Sequence, residues 1–252
     1  MNCSDTPIII DREHIIIDRE HTDVVWLDLD DTLIDFQANS LKALENVYKQ
    51  EKLDRIFGIP ELWIDRYHHY NSLLWIDYAA GKVSRDYLKM ERFRLPLTEA
   101  GVSFDEATKL SIRLDPVYLT LLAQEKQLVP GAIELLERIK QASLPIGILS
   151  NGFMEVQHRK IASAGLTGMI DMVVLSDDIG VNKPDVRIYR HAMKVSGKEY
   201  PERHIMIGDN PDTDIAGAIS AGWKAIHYLP NARISPSNKC PSTGNLSLIE
   251  VK

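Results

Sequence analysis

Val24-Val25-Trp26-Leu27-Asp28-Leu29-Asp30-Asp31-Thr32-Leu33 is the stretch on which the reading of this chain turns. The run Val24–Leu29 reads as a buried strand. It runs into three carboxylates, which is costly at the end of a buried element unless something neutralises the charge. Strand alternation would set Asp28 and Asp30 on one face. Open parallel sheets bind ligands beyond the carboxyl ends of their strands, so this cluster is expected at such an edge.

Four more apolar runs read as buried strands: Ile146–Ser150, Met172–Leu175, His204–Gly208 and Ala225–Leu229. Helical stretches lie between most of them, at Ala132–Ala142, Phe153–Ala164, Arg187–Val195 and Asp212–Ala221. The alternation predicts an α/β fold with a parallel sheet covered on both faces. Residues 36–127 interrupt it, reading instead as the helices Ser40–Glu51, Glu61–Ala80, Ser84–Ala100 and Asp105–Ala123. The expected organisation is an α/β core, residues 22–35 and 128–252, with a helical insertion, residues 36–127, after the first core strand. Residues 1–21 are expected to be an N-terminal extension holding a perfect tandem repeat, IIIDREH at Ile8–His14 and again at Ile15–His21. Two such short copies do not make a solenoid. They read as a local duplication or as an added edge hairpin, and no function is assigned to them. Asn231–Asn245, rich in Ser, Pro and Asn, reads as a loop, and Leu246–Val251 as a last short element.

Three other strand ends carry polar signals. Ile146–Leu149 runs into Ser150-Asn151-Gly152; Leu175 is followed by Ser176-Asp177-Asp178 and then Asn182-Lys183-Pro184; His204–Ile207 runs into Gly208-Asp209 and, further on, Asp214. A lone Ser-Asn-Gly is a turn or cap, and a lone Lys-Pro a solvated loop. Taken in order, DxDxT, SNG, KP and GDxxxxD resemble the haloacid dehalogenase superfamily. The resemblance implies a Rossmann-like core and phosphoryl transfer with Mg²⁺. Asp28 matches the nucleophile, which divides hydrolysis into two steps through an aspartyl-phosphate. Asp30 matches the general acid of the first step and the base of the second. Lys183 offers a compact positive charge to both the nucleophile and the moving phosphoryl group. Ser150 and Asn151, with nearby amides at a helix start, match phosphate-binding positions; so does Thr32, which also holds the loop. Asp28, the backbone carbonyl of Asp30 and Asp209 match the hard oxygen ligands of Mg²⁺. Asp214 is expected to orient the metal's waters or Lys183, and Asp31 to remain a turn residue.

Asp30 also separates chemistries, because the dehalogenases that named the superfamily lack it: a departing halide needs no proton. The insertion between the first and second motifs, with only a short segment from Ser150 to Lys183, implies a small helical cap and small substrates. Leu74-Trp75-Ile76-Asp77-Tyr78, Gly81-Lys82, Arg92-Phe93, Leu149–Phe153 and Gly208-Asp209-Asn210-Pro211 resemble bacterial pyrimidine 5′-nucleotidases, including those acting on noncanonical nucleoside monophosphates. That implies a pyrimidine nucleoside 5′-monophosphate as substrate and Trp75, Tyr78 and Lys82 as cap contacts. Stacking on a base is worth about 1–3 kcal/mol. Trp63, Tyr67, Tyr70, Trp75 and Tyr78 are candidates for it, with packing among the cap's own helices as the open alternative. A sugar-phosphate or phosphoglycolate phosphatase is the competing enzyme, and a non-catalytic phosphoester-binding protein the competing class.

The formal net charge of −7, from 36 acidic and 29 basic residues, argues against a nucleic-acid surface. An anionic substrate then needs a local positive group or a metal. Cys3 and Cys240 make no disulfide framework, which fits a reducing compartment. No apolar run approaches the roughly 20 residues that span a bilayer, and the N-terminus lacks the pattern of a secretory signal. The expectation is a cytoplasmic monomer or homodimer whose partner is a small-molecule phosphate monoester, with no nucleic-acid polymer and no membrane.

Overall fold

The computed structural model describes residues 8–10, 14–230 and 240–252. The chain divides into two compact units, Met1–Phe36 with Gln127–Lys252, and Gln37–Lys126. The first unit is built on β3 (Val24–Leu27), β4 (Ile146–Ser150), β5 (Met172–Leu175), β6 (His204–Gly208), β7 (Lys224–Tyr228) and β8 (Ser242–Thr243). These strands are parallel throughout, in the order β5-β4-β3-β6-β7-β8. Chain order reverses at β3, which lies between β4 and β6. That is the position where open α/β sheets form a ligand crevice.

Side-chain alternation along the strands separates two apolar layers. Val25, Leu27, Ile146, Ile148, Ile205 and Ile207 pack with Leu135, Leu136 and Ile139 of α6 (Ala132–Gln141) and Ile161 of α7 (Met154–Ser163). Val24, Trp26, Leu149, Val174 and Met206 pack with Ile188, Tyr189 and Ala192 of α9 (Val186–Ser196) and Ala218 of α10 (Gly217–Ser220). The short α8 (Ser176–Ile179) follows β5 directly. Among the described residues, no helix is long and apolar enough to cross a membrane.

Two sequence expectations change. The apolar run at β3 continues to Leu29, but the strand ends at Leu27. Asp28 N still donates to Ile207 O, at 2.9 Å. The chain then turns: Asp31 takes φ 57°, and the amides of Leu33 and Ile34 both return to Leu29 O. Asp tolerates this left-handed conformation better than most residues. The sheet therefore still places Asp28, whereas a tight turn, rather than strand alternation, places Asp30. The stretch read as a loop also holds β8, paired with β7 at Ser242 and Thr243. Two polar residues carry no apolar signal, so only backbone pairing defines that strand; residues 231–239 of the predicted loop lie outside the described residues.

The tandem repeat forms paired strands. β1 (Ile8–Ile10) runs antiparallel to β2 (Ile15–Ile17), with Ile9 opposite Ile16. The other side of β2 pairs in parallel with β9 (Ile249–Val251), giving a second sheet in the order β1-β2-β9. Residues 11–13 between the copies lie outside the described residues. In the second copy, Asp18 accepts from Glu20 N and His21 Nδ1, closing a turn of 3₁₀ helix. Ile15 and Ile17 are fully buried among the side chains of β3 and α6, so this part of the expected extension belongs to the core. In the first copy, Ile9 is 46% exposed.

The second unit carries α1 (Phe36–Gln50), whose first residue, Phe36, still belongs to the first unit, and α2 (Asp54–Phe57), α3 (Pro60–Ala79), α4 (Arg85–Glu99) and α5 (Phe104–Leu122). Its centre is aromatic: Trp63 lies 5.2 Å from Phe57 and 6.0 Å from Phe93, and Tyr67 lies 5.1 Å from Phe93 and 5.2 Å from Tyr118. Buried Arg92 pairs with Asp115 and lies over the rings of Phe93 and Tyr118.

Burial varies along the repeat, from fully buried Ile17 in the second copy to exposed Ile9 in the first. Ile17→Ala is expected to cost about 2–5 kcal/mol, as for other buried isoleucines, whereas Ile9→Ala stays within about 0.5 kcal/mol of wild type. Urea unfolding of both variants measures this, and equal losses would contradict the packing.

Candidate active site

Three strand ends of the first unit bring charged groups together. Lys183 enters from the loop after α8, and its ammonium is the centre of the cluster. Lys183 Nζ donates to Asp28 Oδ1 at 2.6 Å, to Asp214 Oδ1 at 2.6 Å and to Leu149 O at 2.7 Å. Its side chain is 3% exposed, so all three ammonium donors are used inside the protein. Burial alone would weaken its hold on a proton, but Asp214 and Asp28 outweigh burial and keep its pKa well above the ordinary lysine value.

The backbone of Lys183 is also fixed. Asn151 Oδ1 accepts from Lys183 N at 2.7 Å, and Asn151 Nδ2 donates to Lys183 O at 3.0 Å. The side chain of Asn151, read from the sequence as a phosphate ligand, is thus engaged with the loop that carries the lysine. Ser150 ends β4 and is buried; its Oγ accepts from Gly152 N at 3.2 Å and Gln157 Nε2 at 2.8 Å. Both contacts use hydroxyl lone pairs, which leaves the hydroxyl hydrogen to be donated.

Asp209 follows β6. Its Oδ1 accepts from Thr32 Oγ1 at 3.3 Å, and His227 Nε2 meets its backbone carbonyl at 2.8 Å. Asp214 sits in the π-helical turn Pro211–Ala216, with Oδ2 accepting from Asn210 N at 3.0 Å. Asn210 Oδ1 in turn caps the amides of Asp212 and Thr213, both at 3.0 Å. Tyr189 Oη donates to Thr213 O. A Cβ on Gly208 would lie 2.4 Å from Asp214 Oδ2, so only glycine at this position lets the Asp214 carboxylate reach the lysine.

Asp28, Asp209 and Asp214 each offer an oxygen within 4.8 Å of the others. Three carboxylates face one ammonium. Burial, followed by Asp214 and Asp31, pushes Asp209 up to about 7. Burial also lifts Asp28 well above the usual carboxylate range against the pull of Lys183, with Asp214 and Asp209 adding to the rise. Such an excess of buried negative charge is what a bound cation relieves, and an all-oxygen donor set fits a hard divalent ion. Both oxygens of Asp214 are taken by Lys183 and Asn210, leaving Asp28 and Asp209 as the better placed ligands. The carboxylate of Asp30 lies outside this group: Oδ2 accepts from Gln157 Nε2 at 2.8 Å, and Oδ1 pairs with Lys160 Nζ.

Gln157 and Lys160, both on α7, are absent from the sequence reading. Their signal is slight: a three-residue spacing places them on one helix face, where such side chains ordinarily meet solvent. The expected cap residues belong to the helical unit. Trp75 and Tyr78 are partly exposed and meet edge to face at 5.5 Å, and exposed Lys82 pairs with Asp77 at 2.9 Å. Trp63 and Tyr67 are fully buried in that unit's core, which settles them as packing residues.

A family description, haloacid dehalogenase-like hydrolase, matches residues 22–222. The chain belongs to this family of hydrolases. It is 28% identical over 233 residues to the pyrimidine 5′-nucleotidase YjjG of Escherichia coli K12, covering 91% of this chain and 96% of that one. It is 30% identical over 204 residues to the pyrimidine 5′-nucleotidase PynA of Streptococcus pneumoniae R6, covering 81% and 82%. The crystal structure of the HAD-hydrolase YfnB of Bacillus subtilis, bound to magnesium, superposes with a TM-score of 0.78 at 25% identity, over 89% of this chain and 95% of that one. The protein is a phosphoric monoester hydrolase.

Lys183→Met would leave Asp28 and Asp214 buried without their counter-charge. In metal-free buffer it is expected to lower stability by about 3–5 kcal/mol, the usual result of removing one partner from a buried pair. Chemical denaturation measures this; an unchanged midpoint would contradict the central role given to the ammonium.

Proposed function

We propose that the enzyme is a Mg²⁺-dependent phosphatase of small phosphate monoesters that works through a phosphorylated Asp28, with pyrimidine nucleoside 5′-monophosphates as its preferred substrates. The observation that carries this reading is the Lys183 ammonium bound to Asp28 and Asp214 beside Asp209. A carboxylate held this way is oriented for attack on phosphorus, and the ammonium stabilises charge on the phosphoryl group as it moves.

Asp28 attacks phosphorus as the bond to the leaving oxygen breaks, and Asp30 delivers a proton to that oxygen. Asp30 then takes a proton from the water that releases phosphate and regenerates Asp28. Ser150 donates its hydroxyl hydrogen to a phosphate oxygen. Asp28, Asp209 and the backbone carbonyl of Asp30 would hold Mg²⁺, with Asp214 keeping Lys183 in place. The ion supplies neutralisation of phosphate charge. Thr32 fixes Asp209, and Asn151 acts by holding the Lys183 loop. The nucleotide preference rests on the relatives YjjG and PynA. Trp75, Tyr78 and Lys82 are the proposed nucleoside contacts, and residues 36–127 the proposed cap. We place the enzyme in the cytoplasm, as a monomer or homodimer.

Phosphate release from UMP, dUMP, dTMP, a purine monophosphate, a sugar phosphate and phosphoglycolate tests this. The expected result is release that requires Mg²⁺, is fastest with the pyrimidine nucleotides, and falls by about 10⁴-fold or more in Asp28→Asn, as when other covalent nucleophiles are removed. Faster release from the sugar phosphate would discard the nucleotide preference. Metal binding has its own readout: Mg²⁺ should raise the melting temperature of the wild type and do so far less in Asp209→Asn. An equal shift in both would remove Asp209 from the metal site.

A further inference from the structure

Buried lysines are rare unless paired, and among the described residues this unit holds two at its charged edge. Lys183 serves Asp28. The second, Lys160, is 3% exposed and pairs with Asp30 Oδ1, although Asp30 itself is partly exposed. Its ammonium also lies 5.1 Å from the ring centre of Phe36. The other oxygen of Asp30 has a separate donor, Gln157 Nε2, at 2.8 Å, and the same nitrogen is 2.8 Å from Ser150 Oγ. Gln157 reaches this position because residue 152 is glycine: a Cβ there would lie 2.1 Å from Gln157 Nε2.

A carboxylate with one donor can rotate about it, whereas one with a donor on each oxygen has a single orientation. A structural staple between the first loop and α7 would need only one of these contacts, and neither would need to meet the hydroxyl of Ser150. We infer that Lys160, acting with Gln157, is the positioning residue for Asp30. It sets the direction in which Asp30 exchanges a proton with the leaving oxygen and later with water, and Gln157 ties that direction to Ser150. The inference rests on the reading of Asp30 as proton donor proposed above.

The test compares an alkyl ester, a pyrimidine nucleoside monophosphate, with p-nitrophenyl phosphate, whose leaving group departs without a proton. Asp30→Asn should lower kcat on the alkyl ester by about 10²-fold or more, the usual contribution of a general acid, with a much smaller loss on the aryl ester. Lys160→Met should copy this pattern, losing roughly tenfold or more on the alkyl ester at little change in KM. In the Asp30→Asn background it should add less than about twofold, because residues acting as one unit are not additive. Gln157→Leu, which removes no charge, should show the same leaving-group pattern and serves if Lys160→Met does not fold. Equal losses on both esters, or a Lys160 effect that multiplies that of Asp30→Asn, would overturn the inference alone. Absence of phosphate release by the wild type would overturn it together with the phosphatase reading.

Discussion

One buried ammonium organises the charged edge of this protein. Lys183 Nζ donates each of its three hydrogens to a separate acceptor: the carboxylates of Asp28 and Asp214 and the carbonyl of Leu149. Desolvating such a group costs several kcal/mol, and a well-packed apolar replacement for a buried ion pair is often no less stable. Fold stability alone therefore gives no reason for the cluster. The surroundings serve it even so: Asn151 clamps the lysine's backbone, and Gly208 clears the path of the Asp214 side chain. With Asp209 added, the negative charge still exceeds what one lysine balances, which is the electrostatic condition for binding a cation and a phosphate together.

Topology makes the cluster possible. Asp28 and Lys183 are 155 residues apart in sequence. They meet because β3 lies between β4 and β6 in a parallel sheet, so the ends of three strands open on one edge. The apolar layers on both faces fix those ends in place. A hydrogen-bonded turn after each strand then aims the polar groups: Asp31 in its left-handed conformation after β3, and Asn210 capping the π-helical turn after β6.

The sheet was legible in the sequence because buried parallel strands are uninterrupted apolar runs, and the position of the helical insertion because those runs stop for residues 36–127. The charged residues at the strand ends were legible for the same reason: polar groups stand out where an apolar run ends. What stayed hidden depends on contacts distant in sequence. Gln157 and Lys160 look like the wet face of a helix until α7 packs on the sheet. Nothing local in Asn151 says that its amide will bind the backbone of residue 183 and not only a ligand. The two IIIDREH copies are identical, so no local property can predict that one is buried and the other half exposed; their order beside β9 decides it. Trp63 and Tyr67 had the composition of a stacking surface and proved to be the interior of a helical unit.

The most direct measurement looks for the phosphoryl group on Asp28. The enzyme would be mixed with Mg²⁺ and a pyrimidine nucleoside monophosphate, quenched within the first turnovers and reduced with borohydride, which converts an acyl phosphate of aspartate to homoserine. Peptide mass spectrometry then reads position 28. Homoserine at that position, dependent on substrate and on Mg²⁺, is the predicted result. Sustained phosphate release with position 28 unmodified at every quench time, or with the phosphoryl group on another residue, would contradict the role assigned to Asp28 and to the ammonium that holds it.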